Sequence, residues 1–281
     1  MITVTLTTDW GADGLYTGAF KGKLVSRVPG VQLVDITHQV DVLNPLKAVF
    51  ALQHAYQYFM KKTIHIVGVG GKISQGSDLE VPEYICFQYN HHYFIGPNNG
   101  IWEALFGEIP KEVFALERSP LSKKFFAFPE LEIFIDAVGK LAMGMEPKHL
   151  GEMVPCKLGR RIGLPVKKQN QLLGEFLYFD VYGNGITNIS KDEFYQVCNN
   201  RPFSIMVGMQ RQQYITDVIA EDYNEGDSSR IVALFSFTGY LEIAVPQKQL
   251  TQFVHIDKNT KILVQFYDSL EEKERDEGTL L

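Results

Sequence analysis

The sequence has few cysteines, and their positions exclude two common kinds of stabilised protein. Its 281 residues include three cysteines, Cys86, Cys156 and Cys198, which lie far apart in the chain. An odd number of scattered cysteines provides neither a disulfide framework nor the ligand spacing of a zinc site. We therefore expect no metal centre, and we expect the reducing environment of the cytoplasm.

Long apolar runs and an excess of positive charge are also missing. No stretch approaches the roughly 18 to 20 apolar residues that a membrane helix needs, and no basic start precedes an apolar run as in a signal peptide. The formal net charge is −6, which disfavours general binding to nucleic-acid phosphates. The expected partners therefore include neither membranes nor nucleic acid.

The first half of the chain alternates strand-like and helix-like segments. Three segments rich in β-branched and apolar residues predict strands at Ile2–Thr8, Val31–Thr37 and Thr63–Val69. Helical spacing of apolar residues lies between them, and such alternation indicates βαβ units with a parallel sheet. A hairpin is expected to turn at Asn90-His91, with His91 and His92 as exposed turn residues.

The hydrophobic pattern changes in the middle of the chain, where Gly, Pro, Lys and Arg accumulate and strand-like segments follow. The predicted fold class is an α/β N-terminal domain, with a mainly parallel sheet and flanking helices, plus a smaller C-terminal all-β barrel domain. The boundaries we assign are 1–155 for the first domain, 156–171 for a linker, 172–270 for the barrel and 271–281 for a charged, frayed tail.

Polar residues in glycine-containing loops are the candidate site residues. Asp9 follows the first predicted strand, at the sheet edge where open α/β proteins bind ligands, and a carboxylate there can accept two hydrogen bonds from a ribose diol. The alternative is that Asp9 caps the next helix or turn. The loops Gly96–Gly100 (GPNNG) and Asp180–Asn188 (DVYGNGITN) offer further polar groups, with turn formation as the alternative. Without a catalytic signature, these residues indicate a small-molecule site and no more.

Five motifs carry a family resemblance, at Thr7–Gly11, Val34–His38, Gly96–Gly100, Tyr182–Asn188 and Gly239–Ala244. They resemble motifs that occur in the same order in the S-adenosylmethionine hydroxide adenosyltransferases, a family that also contains the fluorinase and chlorinase enzymes. Thr7–Gly11 (TTDWG) resembles the opening T-D-F-G motif of that family, and Gly96–Gly100 is similar to its A-P-D/N-N-G loop. The remaining three resemble V-D-I-T-H, F-G-N-x-x-T-N and G-Y-L-E-I-A, at Val34–His38, Tyr182–Asn188 and Gly239–Ala244. The resemblance covers most of the chain.

The resemblance implies a homotrimer in which the ligand lies between the N-terminal domain of one subunit and the C-terminal domain of the next. It implies no cofactor, since S-adenosylmethionine or adenosine is itself the ligand. Asp9 would hold the ribose hydroxyls. The residues implied to contact the ligand are Asp9, Trp10, Asn98, Phe128, Asp180, Tyr182, Asn184 and Tyr223.

Within that set, the resemblance implies different roles for two groups of residues. Asp180, Tyr182 and Asn184 would serve the methionine end of the ligand and the wall beside the adenosine. Phe128 and Tyr223 would add aromatic surface near the nucleoside.

The chain departs from the family at the residues that orient and activate water. Gly70 stands where the hydrolysing members carry an aspartate, no arginine occurs between Gly70 and Tyr93, and Pro129 replaces a histidine. Lys72, Glu130 and Glu132 are the candidate replacements, with a solvated loop charge as the alternative for each.

A second departure concerns the amino-acid end of the ligand. Thr238 and Val245 stand where the fluorinase carries arginines, which implies altered recognition of the methionine end.

Two functions therefore stay open. The first is a protein that binds S-adenosylmethionine and hydrolyses it to adenosine and methionine by attack at the ribose C5′ carbon. The alternative is a catalytically silent homologue that binds a nucleoside or has a structural role.

Overall fold

The chain folds into two compact units, Met1–Ile162 and Gly163–Leu281. The boundary between them falls within the predicted linker, 156–171. The computed structural model describes residues 2–40, 45–70, 83–117, 128–159, 163–209, 212–225, 228–254, 256 and 260–280.

The first unit is built on a six-stranded sheet with the order β2-β1-β3-β5-β4-β6. Strands β2, β1, β3 and β5 run parallel to one another, whereas β4 pairs antiparallel with β5 and β6. The predicted mainly parallel sheet is confirmed. The strands are β1 (Ile2–Thr8), β2 (Val31–Thr37), β3 (Ile64–Gly68), β4 (Tyr84–Tyr89), β5 (His92–Pro97) and β6 (Val113–Ala115).

Helices cover both faces of this sheet, so most residues of its central strands β1, β3 and β5 are buried. One core cluster joins Phe20 and Phe134 of two helices to alternate residues of β1 and β3. In a second cluster, Trp102 packs against Phe87 and against strand residues whose side chains point to the opposite face of the sheet. The helices are α1 (Leu15–Arg27), α2 (Leu46–Ala55), α3 (Ile101–Phe106) and α4 (Glu130–Ala142).

His92 is buried, contrary to the prediction of an exposed turn residue. Only Asn90 and His91 form the turn, with φ values of 46° and 66°, as a two-residue hairpin of this kind requires. His92 therefore begins β5 and points inward, where its Nδ1 lies 3.2 Å from Nε2 of His65. The other ring nitrogen of His65, Nδ1, lies 2.7 Å from the Thr5 hydroxyl.

The second unit is an antiparallel, nearly closed barrel-like sheet, as predicted. All of its ladder pairs are antiparallel, in the order β11-β10-β14-β8-β9-β13-β12, with β7 beside β8. The strands are β7 (Val166–Lys168), β8 (Gln171–Phe179), β9 (Gly185–Ser190), β10 (Phe203–Met209), β11 (Gln212–Thr216), β12 (Val232–Phe235), β13 (Tyr240–Ala244) and β14 (Lys261–Phe266).

The second unit also contains helices, at α5 (Lys191–Cys198), α6 (Leu250–Phe253) and α7 (Leu270–Leu280). Helix α5 begins with a capping box, in which Ser190 and Glu193 each bond the other's backbone N–H. Among the helices described, none is long and apolar enough to cross a membrane.

The charged segment predicted as a frayed tail is helix α7. The contacts that attach it to the rest of its unit include a hydrogen bond of 2.9 Å from the Tyr267 hydroxyl to Asp276 and an ion pair between Lys273 and Asp217. The charge run gave no sign of these contacts, because a charged segment is typically solvated and Asp217 lies more than fifty residues away in the sequence.

The buried histidine pair predicts a loss of stability in acid. Burial, together with the charge of the neighbouring His92, lowers the pKa of His65 from 6.5 to about 3. Below pH 6.5 the unfolded chain takes up a proton that the folded chain refuses, so stability falls progressively until the pH approaches 3. At pH 4.5 this loss amounts to about 2 to 3 kcal/mol relative to pH 7.

Urea unfolding at both pH values measures this loss for the wild type and for His65→Gln. The variant should lose less free energy of unfolding between pH 7 and 4.5, whereas the exposed His149→Gln control should follow the wild type. Equal losses in all three proteins would contradict the assignment of the acid sensitivity to His65.

Candidate functional site

The loops that follow the parallel strands of the first unit are hydrogen-bonded to one another at the carboxyl edge of the sheet. After β1, the Asp9 N–H donates to the Gly68 carbonyl at 3.1 Å, and the Gly11 N–H donates to the His38 carbonyl at 3.1 Å. The Thr8 hydroxyl lies 2.7 Å from Nδ1 of His38. Two motifs that are distant in sequence, TTDWG and VDITH, therefore form one structure.

Asp9 faces another loop and does not cap the following helix. Its Oδ2 accepts a hydrogen bond of 2.9 Å from the Gly70 N–H, whereas the N-cap of α1 is Gly14 and has no side-chain cap. Burial raises the pKa of the Asp9 carboxyl, and the bond from Gly70 opposes that rise. Because a carboxylate offers about four lone-pair positions, Asp9 keeps acceptor capacity for a diol.

An aromatic cluster lies beside Asp9. The Trp10 ring is 5.0 Å from Phe20 and 4.9 Å from Phe128, and Phe128 is also 5.0 Å from Tyr16. Phe128 is buried within this cluster, but Tyr16 is exposed and is the aromatic residue that the sequence pattern did not single out. Trp10 packs over Gly68, where a Cβ atom would come within 2.4 Å of the indole.

The Asn98 side chain is buried and hydrogen-bonded to residues of two other segments of the first unit. It is 2% exposed, its amide nitrogen donates to Glu83 at 2.7 Å and to the Pro155 carbonyl at 3.0 Å, and its oxygen accepts from the Lys157 N–H at 2.7 Å. These contacts satisfy the side chain, so the geometry gives it a structural task in place of ligand contact.

The neighbouring Asn99 is exposed at the same sheet edge. Its amide nitrogen donates to the Val69 carbonyl at 3.1 Å, and its oxygen accepts from the Ile101 N–H at 3.2 Å. Asn99 also borders Gly70, because a Cβ atom on that glycine would lie 2.9 Å from the Asn99 amide. The two asparagines are adjacent, and the sequence pattern could not tell which one faces inward.

In the second unit, Asp180 organises a tight polar loop. Its Oδ1 accepts from the backbone N–H groups of Tyr182 and Asn184 at 2.9 and 2.8 Å, and its Oδ2 accepts from the Asn184 side chain at 3.1 Å. This is the geometry of an Asx turn. It leaves Tyr182 74% exposed.

Four of the predicted residues line one pocket of about 720 Å³ within the second unit. They are Asp180, Tyr182, Asn184 and Tyr223. The structure thus brings together every predicted site residue of this unit, while Asp9, Trp10 and Phe128 form the group described above in the first unit.

Glu242 supports this pocket from within the sheet, and the sequence pattern did not identify it. It is 2% exposed, and its carboxylate accepts from the Tyr223 hydroxyl at 2.8 Å and from Ser236 and Asn184. Burial raises the pKa of Glu242, and burial together with the bond to Glu242 raises the pKa of Tyr223. An acidic residue inside the apolar run Tyr240–Ala244 was the signal available in the sequence.

A tight turn after β13 forms another wall of the pocket. The Lys248 N–H donates to the Val245 carbonyl at 3.1 Å, and Gln247 has a φ of 61°. Proline at position 246, followed by a positive φ, is the pattern of a type II turn. Lys248, which closes this turn, is one of the residues that line the pocket.

The three candidate replacements for the water-handling residues have different environments. Glu132 forms an ion pair with Lys23 between α4 and α1. Glu130, the first residue of α4, is 5% exposed and accepts from the Tyr84 hydroxyl at 2.6 Å. Lys72 lies outside the described residues. Within the described ranges, no cluster of three or more His, Cys, Asp or Glu residues could hold a metal ion.

Comparisons with known proteins cover both units. Residues 4–151 match the model of the S-adenosylmethionine hydroxide adenosyltransferase N-terminal domain, and residues 174–263 match that of the C-terminal domain. A protein of Methanocaldococcus jannaschii named (R)-S-adenosyl-L-methionine hydrolase is 24% identical over 90% of this chain and 92% of its own length. A protein of the same name from Thermus thermophilus is 26% identical over 67% of this chain and 75% of its own length.

Solved structures show the same fold. An uncharacterised conserved protein of Thermotoga maritima superposes with a TM-score of 0.78 at 24% identity, covering 94% of this chain and all (100%) of its own. A conserved hypothetical protein of Thermus thermophilus gives a TM-score of 0.67 at 21% identity over 95% of this chain and 100% of its own.

Gly183, at the centre of the Asp180 loop, predicts a strong sensitivity to a single added carbon. It has a φ of +84°, and a Cβ atom there would lie 2.8 Å from Cβ and 3.1 Å from Cα of Gln249. Gly183→Ala should therefore lower the free energy of unfolding by about 2 to 4 kcal/mol, through backbone strain and overpacking together.

Gly239→Ala is the matched control, because Gly239 has a φ of +78° but a Cβ atom added there would meet no other atom within 4 Å. This control should lose only about 1 kcal/mol, from backbone strain alone. Chemical unfolding of both variants measures the difference, and equal losses would show that the contact with Gln249 does not constrain the loop.

Proposed function

Because the chain belongs to the S-adenosylmethionine hydroxide adenosyltransferase family, we propose that it binds S-adenosylmethionine and hydrolyses it to adenosine and methionine. The observation that carries this proposal is that two relatives named (R)-S-adenosyl-L-methionine hydrolase align with this chain, one of them over 90% of it. The proposed substrate includes the (R) epimer at sulfur that these names specify.

The proposed reaction is a displacement at the ribose C5′ carbon. A bond forms from the water oxygen to C5′, the C5′–S bond breaks with its electron pair going to sulfur, and one proton leaves the attacking water. The sulfonium becomes a neutral thioether, so methionine leaves without a build-up of negative charge. The main tasks of the protein are therefore to align the two reactants and to exclude bulk water.

We assign the nucleoside to the polar and aromatic groups of the first unit. Asp9 holds the ribose hydroxyls with its remaining acceptor positions, and Trp10 and Tyr16 contact the nucleoside. Asp180, Asn184 and Tyr223 of the second unit serve the methionine end and the wall beside the adenosine. Support for these roles comes from the half-buried carboxylate of Asp9 and from the shared pocket of the second group.

The proposed hydrolysis needs a base, because water is a poor nucleophile. We propose Glu130 for this role. It follows Phe128 of the aromatic cluster by two residues, and its carboxylate is buried and oriented by the Tyr84 hydroxyl. Glu132 is already engaged by Lys23.

We further propose that the protein works in the cytoplasm, without a cofactor, as a homotrimer with its sites between subunits. The family resemblance supports this assembly, which would let groups from different units serve one ligand. Molar mass by light scattering is the check, and a monomer that turns over substrate would contradict it.

Removing the Asp9 carboxylate should weaken nucleoside binding. Asp9→Ala should cost about 1 to 3 kcal/mol of binding free energy, because a charged acceptor for the ribose hydroxyls is lost. Calorimetric titration with adenosine and with each sulfur epimer of S-adenosylmethionine measures the affinity. Chromatography of the same samples then measures adenosine and methionine.

The nearby exposed Asp13→Ala is the control and should bind like the wild type. Unchanged affinity in Asp9→Ala would remove the ribose assignment. Tight binding by the wild type without any products would identify a catalytically silent nucleoside-binding protein. The absence of binding would mean that the chain resembles the family in fold alone.

Replacing the proposed base should separate binding from turnover. Glu130→Gln keeps the shape of the side chain but cannot take a proton, so turnover should fall by about 100-fold or more while ligand affinity changes little. Glu132→Gln provides the matched control on the same helix and should keep its turnover. Equal turnover in the two variants would exclude Glu130 as the base.

A further inference from the structure

The pocket of the second unit carries one charge of each sign. Among the described residues that line it, Lys248 is the only cationic side chain and Asp180 is the only carboxylate. The other lining groups are neutral and include Gln247, Gln249 and Gln252. Such a pocket complements a ligand that itself carries one positive and one negative group.

Lys248 is held in place by contacts that leave part of its donor capacity available. Its ammonium donates to the Ser228 carbonyl at 2.7 Å and lies 5.1 Å from the centre of the Phe253 ring. An ammonium has three N–H donors, and the carbonyl takes one of them. The backbone bond from Lys248 to Val245 fixes the start of the side chain at the turn.

The hydrogen bonds that Asp180 accepts from described residues likewise use only part of its acceptor capacity. Its Oδ1 accepts two backbone hydrogen bonds, whereas its Oδ2 accepts one, from the Asn184 side chain. Because each carboxylate oxygen can accept two hydrogen bonds, Oδ2 can take a further donor. An ammonium group is a donor of the right charge.

We propose that Lys248 binds the α-carboxylate of the amino-acid end of the ligand, while Asp180 accepts from its α-ammonium. Lys248 is then the residue that makes this protein prefer adenosyl ligands that carry an intact amino acid. The inference rests on the proposed function and extends it. It also accounts for the uncharged Thr238 and Val245, because Lys248 supplies the cation from the turn that directly follows Val245.

Three stable adenosine thioethers test this role without interference from hydrolysis. S-adenosylhomocysteine has the full amino-acid end, 5′-(3-aminopropylthio)adenosine keeps the amine but lacks the carboxylate, and 5′-methylthioadenosine lacks both. Calorimetric titration of the full-length protein gives Kd for each. Lys248→Met should weaken S-adenosylhomocysteine about 10- to 100-fold and leave the other two ligands within about twofold of the wild type.

Two further variants separate charge from folding. Lys248→Arg keeps a cation at the position and should recover most of the affinity for S-adenosylhomocysteine. Lys261→Met removes an exposed lysine of the same unit, whose partner is Glu175, and should leave all three affinities unchanged. The melting temperature of each variant shows whether the unit is intact.

Several outcomes would overturn the assignment. An unchanged Kd for S-adenosylhomocysteine in Lys248→Met would do so, as would an equal loss for all three ligands, since a general disturbance of the pocket does not distinguish the carboxylate. Wild-type protein that binds the methylthio ligand as tightly as S-adenosylhomocysteine would overturn it while leaving nucleoside binding intact. Failure of the wild type to bind any adenosyl ligand would overturn both this inference and the proposed function.

Discussion

The hydrogen bond from the Gly70 N–H to the Asp9 carboxylate is the contact around which the first unit's edge is arranged. It joins the loop after β1 to the loop after β3 at 2.9 Å, and it offsets part of the desolvation that raises the pKa of Asp9. Gly70 has a φ of +68°, and a Cβ atom there would approach the Asn99 amide to 2.9 Å. The backbone therefore supplies a donor at a place where a side chain would be strained and crowded.

This arrangement gives a physical account of the sequence departure at Gly70. By the family resemblance, an aspartate would stand there, which would add a second carboxylate to the residue whose backbone bonds Asp9. Two neighbouring carboxylates repel, which raises the pKa of one of them. With glycine, the loop keeps its backbone donor to Asp9 and adds no second negative charge. The change favours an ionised Asp9, which is the state that accepts from a diol.

The second unit also depends on carboxylates, and two of them, Glu242 and Asp180, have different roles. Glu242 is buried and satisfied by Tyr223, Ser236 and Asn184, so it fixes the pocket wall from behind. Asp180 stands at the pocket and shapes its loop through backbone donors. The nearby negative charge of Asp180 raises the pKa of Glu242, and a bound cationic group between or near them would relieve that repulsion.

Sequence patterns predicted the architecture and part of the site because strand periodicity places Asp9 and Asp180 where strands end. They could not choose between Asn98 and Asn99, since the orientation of that loop depends on Glu83 and Pro155. They missed Lys248 because its position depends on a turn with a positive φ at Gln247. By resemblance, the positions that changed are those that handle water and the two at the amino-acid end, Thr238 and Val245, whereas Asp9, Asp180 and Asn184 are kept. A neutral leaving group reduces what catalysis must supply beyond alignment, so loss of the usual water-handling set is compatible with a retained ligand site and a base taken from another position.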